Sequence, residues 1–142
     1  MKRIFLIIVI LLLTISIPFI VTATDVPKPK ITVSLDLINI GKVKPPDIKE
    51  QTLTIQNAGQ SDLHLTSITV DCPCTSFQFF TQDEIQTNLP LTMQPGNKIV
   101  VKVAFDAGKT KYRGRFTKLI LIGSNDPEEP MKRIKLIGEI GE

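Results

Sequence analysis

The chain has 142 residues, 17 basic and 14 acidic, for a net charge of +3; it carries one His, one Tyr, two Cys and no Trp. Without a long basic stripe or aromatic side chains to stack on bases, nucleic acid is excluded as a partner class. The single histidine leaves little material for a nucleophile–base pair, so catalysis by acyl or group transfer is not expected.

In chain order, Lys2 and Arg3 make a short positive start. An apolar run follows from Ile4 to Ile17. Pro18 breaks it, and Val21-Thr22-Ala23 offers small residues at a cleavage position. That is the layout of a secretory signal peptide over residues 1–23. The alternative is an uncleaved anchor from Ile4 to Val21, near the lower limit of about 17 residues for a spanning helix. No cysteine lies near the cleavage point, which argues against a lipid anchor. Lys2 and Arg3 are two of the 17 basic residues and no acid lies before Asp25, so leader removal lowers the net charge from +3 to +1. Residues 24–30 read as a stiff, proline-bearing linker. Residues 31–142 suit one domain, which buries roughly two thirds of its unfolded surface.

Within that domain, β-branched runs alternate with turn signals. Ile31, Val33, Leu35 and Leu37 alternate with polar residues, a period of two that predicts a half-buried strand. In "EQTLTIQN", Leu53 and Ile55 share a face. Asn57 to Gly59 mark a turn. "LHLTSITV" follows, with Leu63 and Leu65 out of phase with Ile68 and Val70; a bulge near Thr66-Ser67 would reconcile them. "TQDEIQTNL", residues 81–89, predicts loop. After the "QPGNK" turn, Ile99, Val101, Val103 and Phe105 fall in register. "DAGKTKYRGR" predicts a longer loop. "FTKLILIG" is apolar on both faces around Leu119 to Ile122, as a central strand would be. The turn "SNDPEEP" leads to a last strand with Ile134, Leu136 and Ile140 in phase. Six or seven strands, with turns about every eight to twelve residues, predict an antiparallel sandwich.

Both cysteines sit in "VDCPCTSF". In an extended strand Cys72 and Cys74 would share a face with Ile68 and Val70. Pro73 lacks a backbone donor, which puts this end on an edge or outside the ladder. Extended backbone would separate the two α-carbons by about 6.6 Å, near the upper limit of about 6.8 Å for a disulfide. Such a bridge closes a tiny ring and constrains the unfolded chain little. An exported compartment still favours oxidation. Four readings stay open: a local or intermolecular disulfide, buried thiols, a redox pair, and a soft-metal site. For a metal, two thiolates suit Cu(I) or Zn(II), and Cys72 and Cys74 are the candidate ligands. His64 is roughly 26 Å from Cys72 along a straight strand and alternates outward; Met93 is a candidate thioether ligand.

Asp126, Glu128 and Glu129 cluster in "SNDPEEP", where carboxylates could bind Ca²⁺ or do acid–base work, or simply start a turn that Pro127 holds. Lys109, Lys111, Arg113 and Arg115 surround Tyr112, a patch for anionic glycans or lipid headgroups, or a solvated hairpin tip. Lys132, Arg133 and Lys135 lie on the last strand, where lysine discourages edge-to-edge pairing.

These motifs, in order, resemble a family of secreted bacterial domains (domain of unknown function 1573), itself similar to Hydin-type, or ASH, immunoglobulin-like domains. "INIGKV", Ile38 to Val43, resembles its opening strand, Phe-Asp-Phe-Gly-x-Val. Ile55 to Thr75 resembles its Phe-x-Asn-x-Gly…Leu-x-Ile…Cys-Gly-Cys-Thr block. Met93 to Asp106 resembles its Pro-Gly turn and following strand, and Ser124 to Pro130 with Gly138 its closing hairpin. Asn39 stands where that family usually has Asp, and Pro73 where it has Gly. The resemblance implies an immunoglobulin-like fold and no accepted activity. The function expected is an exported, non-catalytic module without a cofactor, binding an envelope protein or serving envelope structure. The membrane would be met only through the N-terminal segment if it stays attached. The alternative is thiol redox or Cu(I) handling through Cys72 and Cys74.

Overall fold

In strand β3, Ile48–Asn57, the alternation of the sequence becomes a layer: Leu53 and Ile55 are buried while their neighbours face outward. The computed structural model describes residues 26–142; the expected signal segment, residues 1–23, lies outside them. The strands are β1 Ile31–Val33, β2 Leu37–Val43, β3, β4 Leu63–Val70, β5 Thr75–Phe80, β6 Gln86–Thr87, β7 Leu91–Met93, β8 Lys98–Asp106, β9 Gly114–Ser124 and β10 Met131–Ile140, with a 3₁₀ turn at Ala107–Lys109. They form two five-stranded sheets, ordered β1-β3-β8-β5-β6 and β2-β10-β9-β4-β7. Ile99, Val101, Val103 and Phe105 of β8 supply the inner face of the first sheet. Ile120, Ile122, Ile134 and Leu136 supply that of the second. Each such side chain, fully buried, contributes about 1.5–3 kcal/mol.

The sandwich expected from the period-two pattern is therefore present, with two corrections. The described residues form ten strands rather than about seven, because β1, β6 and β7 hold only two or three residues each, too few for alternation to register. The sandwich is also not wholly antiparallel: β2 runs parallel to β10, with Ile38 opposite Leu136. The run from Ile31 to Leu37 is not one strand. Its first part pairs with β3 and its second with β10, so the chain changes sheets at Ser34–Asp36. The Ser34 N–H donates to Thr54 C=O at 3.0 Å, and the Asp36 carbonyl accepts from Lys135 N–H at 2.9 Å. Leu35 and Leu37, out of the core during this crossing, are 39% and 48% exposed.

The bulge expected at Thr66-Ser67 appears as a register shift between Leu65 and Ser67 against β9. It lets Leu63 and Leu65 stay fully buried while Ile68 and Val70 pack half-buried at the core margin. Residues 81–89 form turns and the two-residue β6, with no helix. Strand β9 is central, yet the outward side of its apolar run is uncovered, with Leu119 45% exposed. The last strand is not an edge, since β2 pairs on its far side. Lysines on β10 therefore cannot protect an edge.

The proline-bearing stretch before β1 lies along the Asn57–Gln60 loop. Ala58 N–H donates to Lys30 C=O and Gln60 N–H to Lys28 C=O, both at 2.8 Å. Gly59 permits this approach: a Cβ there would sit 2.3 Å from the Lys28 carbonyl oxygen and 2.5 Å from the Lys30 nitrogen. Asn57, fully buried, ties the same corner together. Its amide donates to Ser61 and Met93 carbonyls at 2.8 and 2.9 Å, and its oxygen accepts from Gly59 N–H at 3.0 Å. With its partners met, the buried amide avoids the penalty of an unsatisfied polar group.

Candidate functional site

Strand β4 ends at Val70, and residues 71–74 turn the chain from one sheet into β5 of the other. Pro73 sits exposed within this turn, outside either ladder. The turn is held by backbone bonds. Thr75 N–H donates to Cys72 C=O at 3.3 Å, and Asp106 N–H to Cys74 C=O at 2.8 Å. Turning brings the α-carbons of Cys72 and Cys74 to 5.1 Å, closer than extended backbone allows, and the sulfurs are joined as a disulfide. Cys74 is 2% exposed, whereas Cys72 is half-buried. The Cys74 N–H points at the Cys72 Sγ, 3.3 Å away.

The pair lines an open cleft of ≈ 350 Å³ at one end of the sandwich. Its floor is apolar: Phe105 of β8 and Phe116 of β9, stacked with centroids 5.0 Å apart, together with Ile140. Thr110 and Tyr112 from the loop after the 3₁₀ turn form one wall, and Arg115, Thr117 and Lys118 of β9 another. The cysteine motif and the basic loop, separate in sequence, thus share one cleft. Tyr112 is anchored there, its hydroxyl donating to Arg115 C=O at 2.7 Å. Arg113 turns back on its own loop, bonding Thr110 and Tyr112 carbonyls. Lys109 meets Asp106 at 3.7 Å, and Arg115 meets Glu139 at 3.4 Å. Such surface pairs are worth only about 0–1 kcal/mol each. Lys118 makes no ion pair among the described residues.

Other residues singled out by sequence lie elsewhere. His64 is exposed, its Nδ1 2.8 Å from Thr92 Oγ1. Met93 is buried opposite Leu63. His64 is at the start of β4 and Met93 on β7 beside it, the end remote from the cysteines, so neither joins them as a ligand. Among the described residues no cluster of three His, Cys, Asp or Glu side chains is placed to hold a metal. Arg133 and Lys135 are both exposed on β10. Lys132 is mostly covered, bonded to Glu129 at 3.1 Å and Asp36 at 3.6 Å; its hydrogen bond to Glu129 leads the effects that raise its pKa.

Asp126 is the main residue whose role sequence reading understated. It caps its own turn, accepting from Glu128 and Glu129 N–H at 2.8 and 3.2 Å. Its other oxygen accepts from Ile31 N–H at 2.8 Å, across 95 residues of chain. Burial pushes its pKa up, but these three donors and the charge of Lys30 outweigh that and hold it below 3.8. The turn signal was legible; the reach to β1 depended on a partner distant in sequence. Phe116, Thr110 and Lys118 were likewise missed, because only the folding of β9 against the loop makes them neighbours of the cysteines.

Two facing sheets joined by crossing strands, with no helix between them, define an immunoglobulin-like sandwich. The chain belongs to the HYDIN/CFA65/VesB-like, Ig-like domain family, whose model matches residues 29–139, as the resemblance to Hydin-type domains implied. It is similar in fold to the ASH/PapD-like domain 7 of human CEP192, at 17% identity and a TM-score of 0.56, covering 89% of this chain and 96% of that one. A Porphyromonas gingivalis W83 protein of unknown function gives 21% identity and a TM-score of 0.63 over 78% of this chain. The match spans 46% of that longer protein. The E. coli chaperone DraB gives 10% identity and a TM-score of 0.52, covering 79% and 56% of the two chains. No curated protein matches in sequence.

Proposed function

We propose that the chain is an exported, non-catalytic immunoglobulin-like module that binds an envelope protein by strand addition to β2. The observation that carries this is the length of the free edges. Four strands end the two sheets: β1 and β7 have three residues, β6 two, and β2 seven. Before the bulge at Gly41, whose N–H is taken by Asn39 Oδ1 at 2.9 Å, this edge offers outward backbone groups to an extended peptide. The Asp36 carbonyl faces β10, so across that peptide plane the Leu37 N–H points away from the sheet. By alternation the Asn39 N–H does the same. Exposed Leu35 and Leu37 beside this edge add apolar contact. The export part rests on the leader-like sequence of residues 1–23, and family membership is consistent with a binding module.

A photocrosslinking residue placed at Leu37 of the exported protein tests the reading. It is expected to give a discrete adduct in the envelope, and Asn39→Pro, which deletes an outward donor, is expected to abolish it. The control position is Glu50, exposed on β3. Adduct yield at Leu37 equal to that at Glu50, or unaffected by Asn39→Pro, would refute strand addition.

A further inference from the structure

The cysteine cleft carries a second activity, independent of the β2 edge. We propose that the Cys72–Cys74 disulfide exchanges with the thiols of an exported dithiol polypeptide that bears acidic residues beside its cysteines. Three observations converge on this. The bridge spans two positions, so it closes too small a loop to restrict the unfolded chain much, which leaves little structural reason for it. The turn that holds it is also fixed by the bonds from Thr75 and Asp106 N–H, so the backbone of the turn does not depend on the bridge alone. Cys74 is set in the core, and the bridge still reaches an open cleft through the half-buried Cys72, beside Arg115 and Lys118.

The two sulfurs differ in a way that assigns the order of events. Cys72 is half-buried in the cleft and Cys74 is 2% exposed. A substrate thiolate therefore attacks Cys72 Sγ. A substrate–Cys72 bond forms, the Cys72–Cys74 bond breaks, and Cys74 leaves as the thiolate and takes up a proton from water. The substrate's second thiol, deprotonated, then attacks its own sulfur in the mixed disulfide. The substrate leaves oxidised to a disulfide by loss of two electrons, and Cys72 departs as a thiolate. In that form the Cys74 N–H, 3.3 Å from Cys72 Sγ, and the nearby cations stabilise its charge. By reversibility the same Cys72 thiolate attacks a substrate disulfide in the opposite direction. The cations of the cleft, Lys118 above all because it is unpaired among the described residues, select acidic flanks on the substrate.

The test uses the oxidised exported protein and a reduced synthetic peptide, Cys-x-x-Cys flanked by glutamates, against the same peptide flanked by lysines. The acidic peptide is expected to reduce the bridge about ten-fold faster at low salt, the gap closing at high ionic strength. Lys118→Gln should remove several-fold of that rate while the thermal midpoint stays unchanged. With a single-cysteine form of the acidic peptide carried as a mixed disulfide with a small thiol, Cys74→Ser should displace that thiol and hold the peptide at Cys72; Cys72→Ser should hold none. A bridge that resists both peptides until denaturant unfolds the protein would overturn the proposal. So would equal trapping at the two sulfurs, or equal rates for the two peptides.

Discussion

Replacing Asp126 with asparagine isolates a tie between the first strand and the β9–β10 turn. The side chain keeps its shape and one oxygen for Glu128 and Glu129. At the other position, if that orientation holds, an NH₂ group faces the Ile31 N–H, donor against donor. Ile31 is 3% exposed, so water cannot substitute for the lost acceptor. Hydrogen bonds to a charged acceptor are worth about 1.5–3 kcal/mol, and an unmet buried donor costs about 1–3 kcal/mol, so a loss of about 2 kcal/mol is expected at pH 7. Asp126→Ala, which strands all three donors, should cost about 3 kcal/mol, a fall of about 12 °C in thermal midpoint for a domain of this size. The pH dependence is the sharper signature. The folded-state pKa lies below the ordinary 3.8, so the carboxylate's contribution is complete above that value and fades as pH falls through the folded pKa. Urea unfolding of both proteins should show a gap that is constant well above pH 3.8 and narrows as the pH falls below it, through the folded pKa. Equal stability at pH 7, or a gap that widens as the pH falls below 3.8, would refute the assignment.

Three further outcomes are expected. Cys72→Ser with Cys74→Ser should fold and lose about 1.5 kcal/mol or less, since the ring is so small; failure to fold would show that the bridge organises the turn. Gly59→Ala should push Lys28–Lys30 off the Asn57–Gln60 loop, because its Cβ would overlap backbone rather than a flexible side chain. Hydrogen exchange should then accelerate at Ala58 and Gln60, and unchanged protection there would count against the close contact. On the proposal that residues 1–23 are a cleaved leader, N-terminal sequencing of the protein isolated from cells is expected to begin at Thr24, while a start at Met1 would refute cleavage.

How far the sequence discloses this fold depends on how local each decision is. The inward faces of β3 and β8 are readable because Leu53, Ile55, Ile99 and Val101 repeat every second residue within one strand. The bulge at Thr66-Ser67 is readable too, since two apolar pairs of opposite phase within eight residues leave no other solution. What stays hidden is pairing. Nothing in "ITVSLDL" says that the chain passes from one sheet to the other at Ser34, and nothing in "MKRIKLIGEI" says that a parallel strand lies beyond it. Both depend on partners across the length of the domain. The same holds for the cleft. Cys72 and Cys74 announce themselves, but Lys118 and Phe116 become their neighbours only once β9 lies beside the loop that Tyr112 anchors.

The parallel seam between β2 and β10 has a consequence for the order in which the molecule can be finished. It joins nearly the first ribbon to nearly the last, so almost the whole polypeptide must arrive before the second layer can close. A chain emerging amino end first would hold β2 open through most of its emergence. High sequence separation between partners of this kind slows assembly. Any carboxy-terminal truncation that removes β10 orphans β2, which has no other neighbour in its sheet, and leaves β9 as a new edge held only by β4.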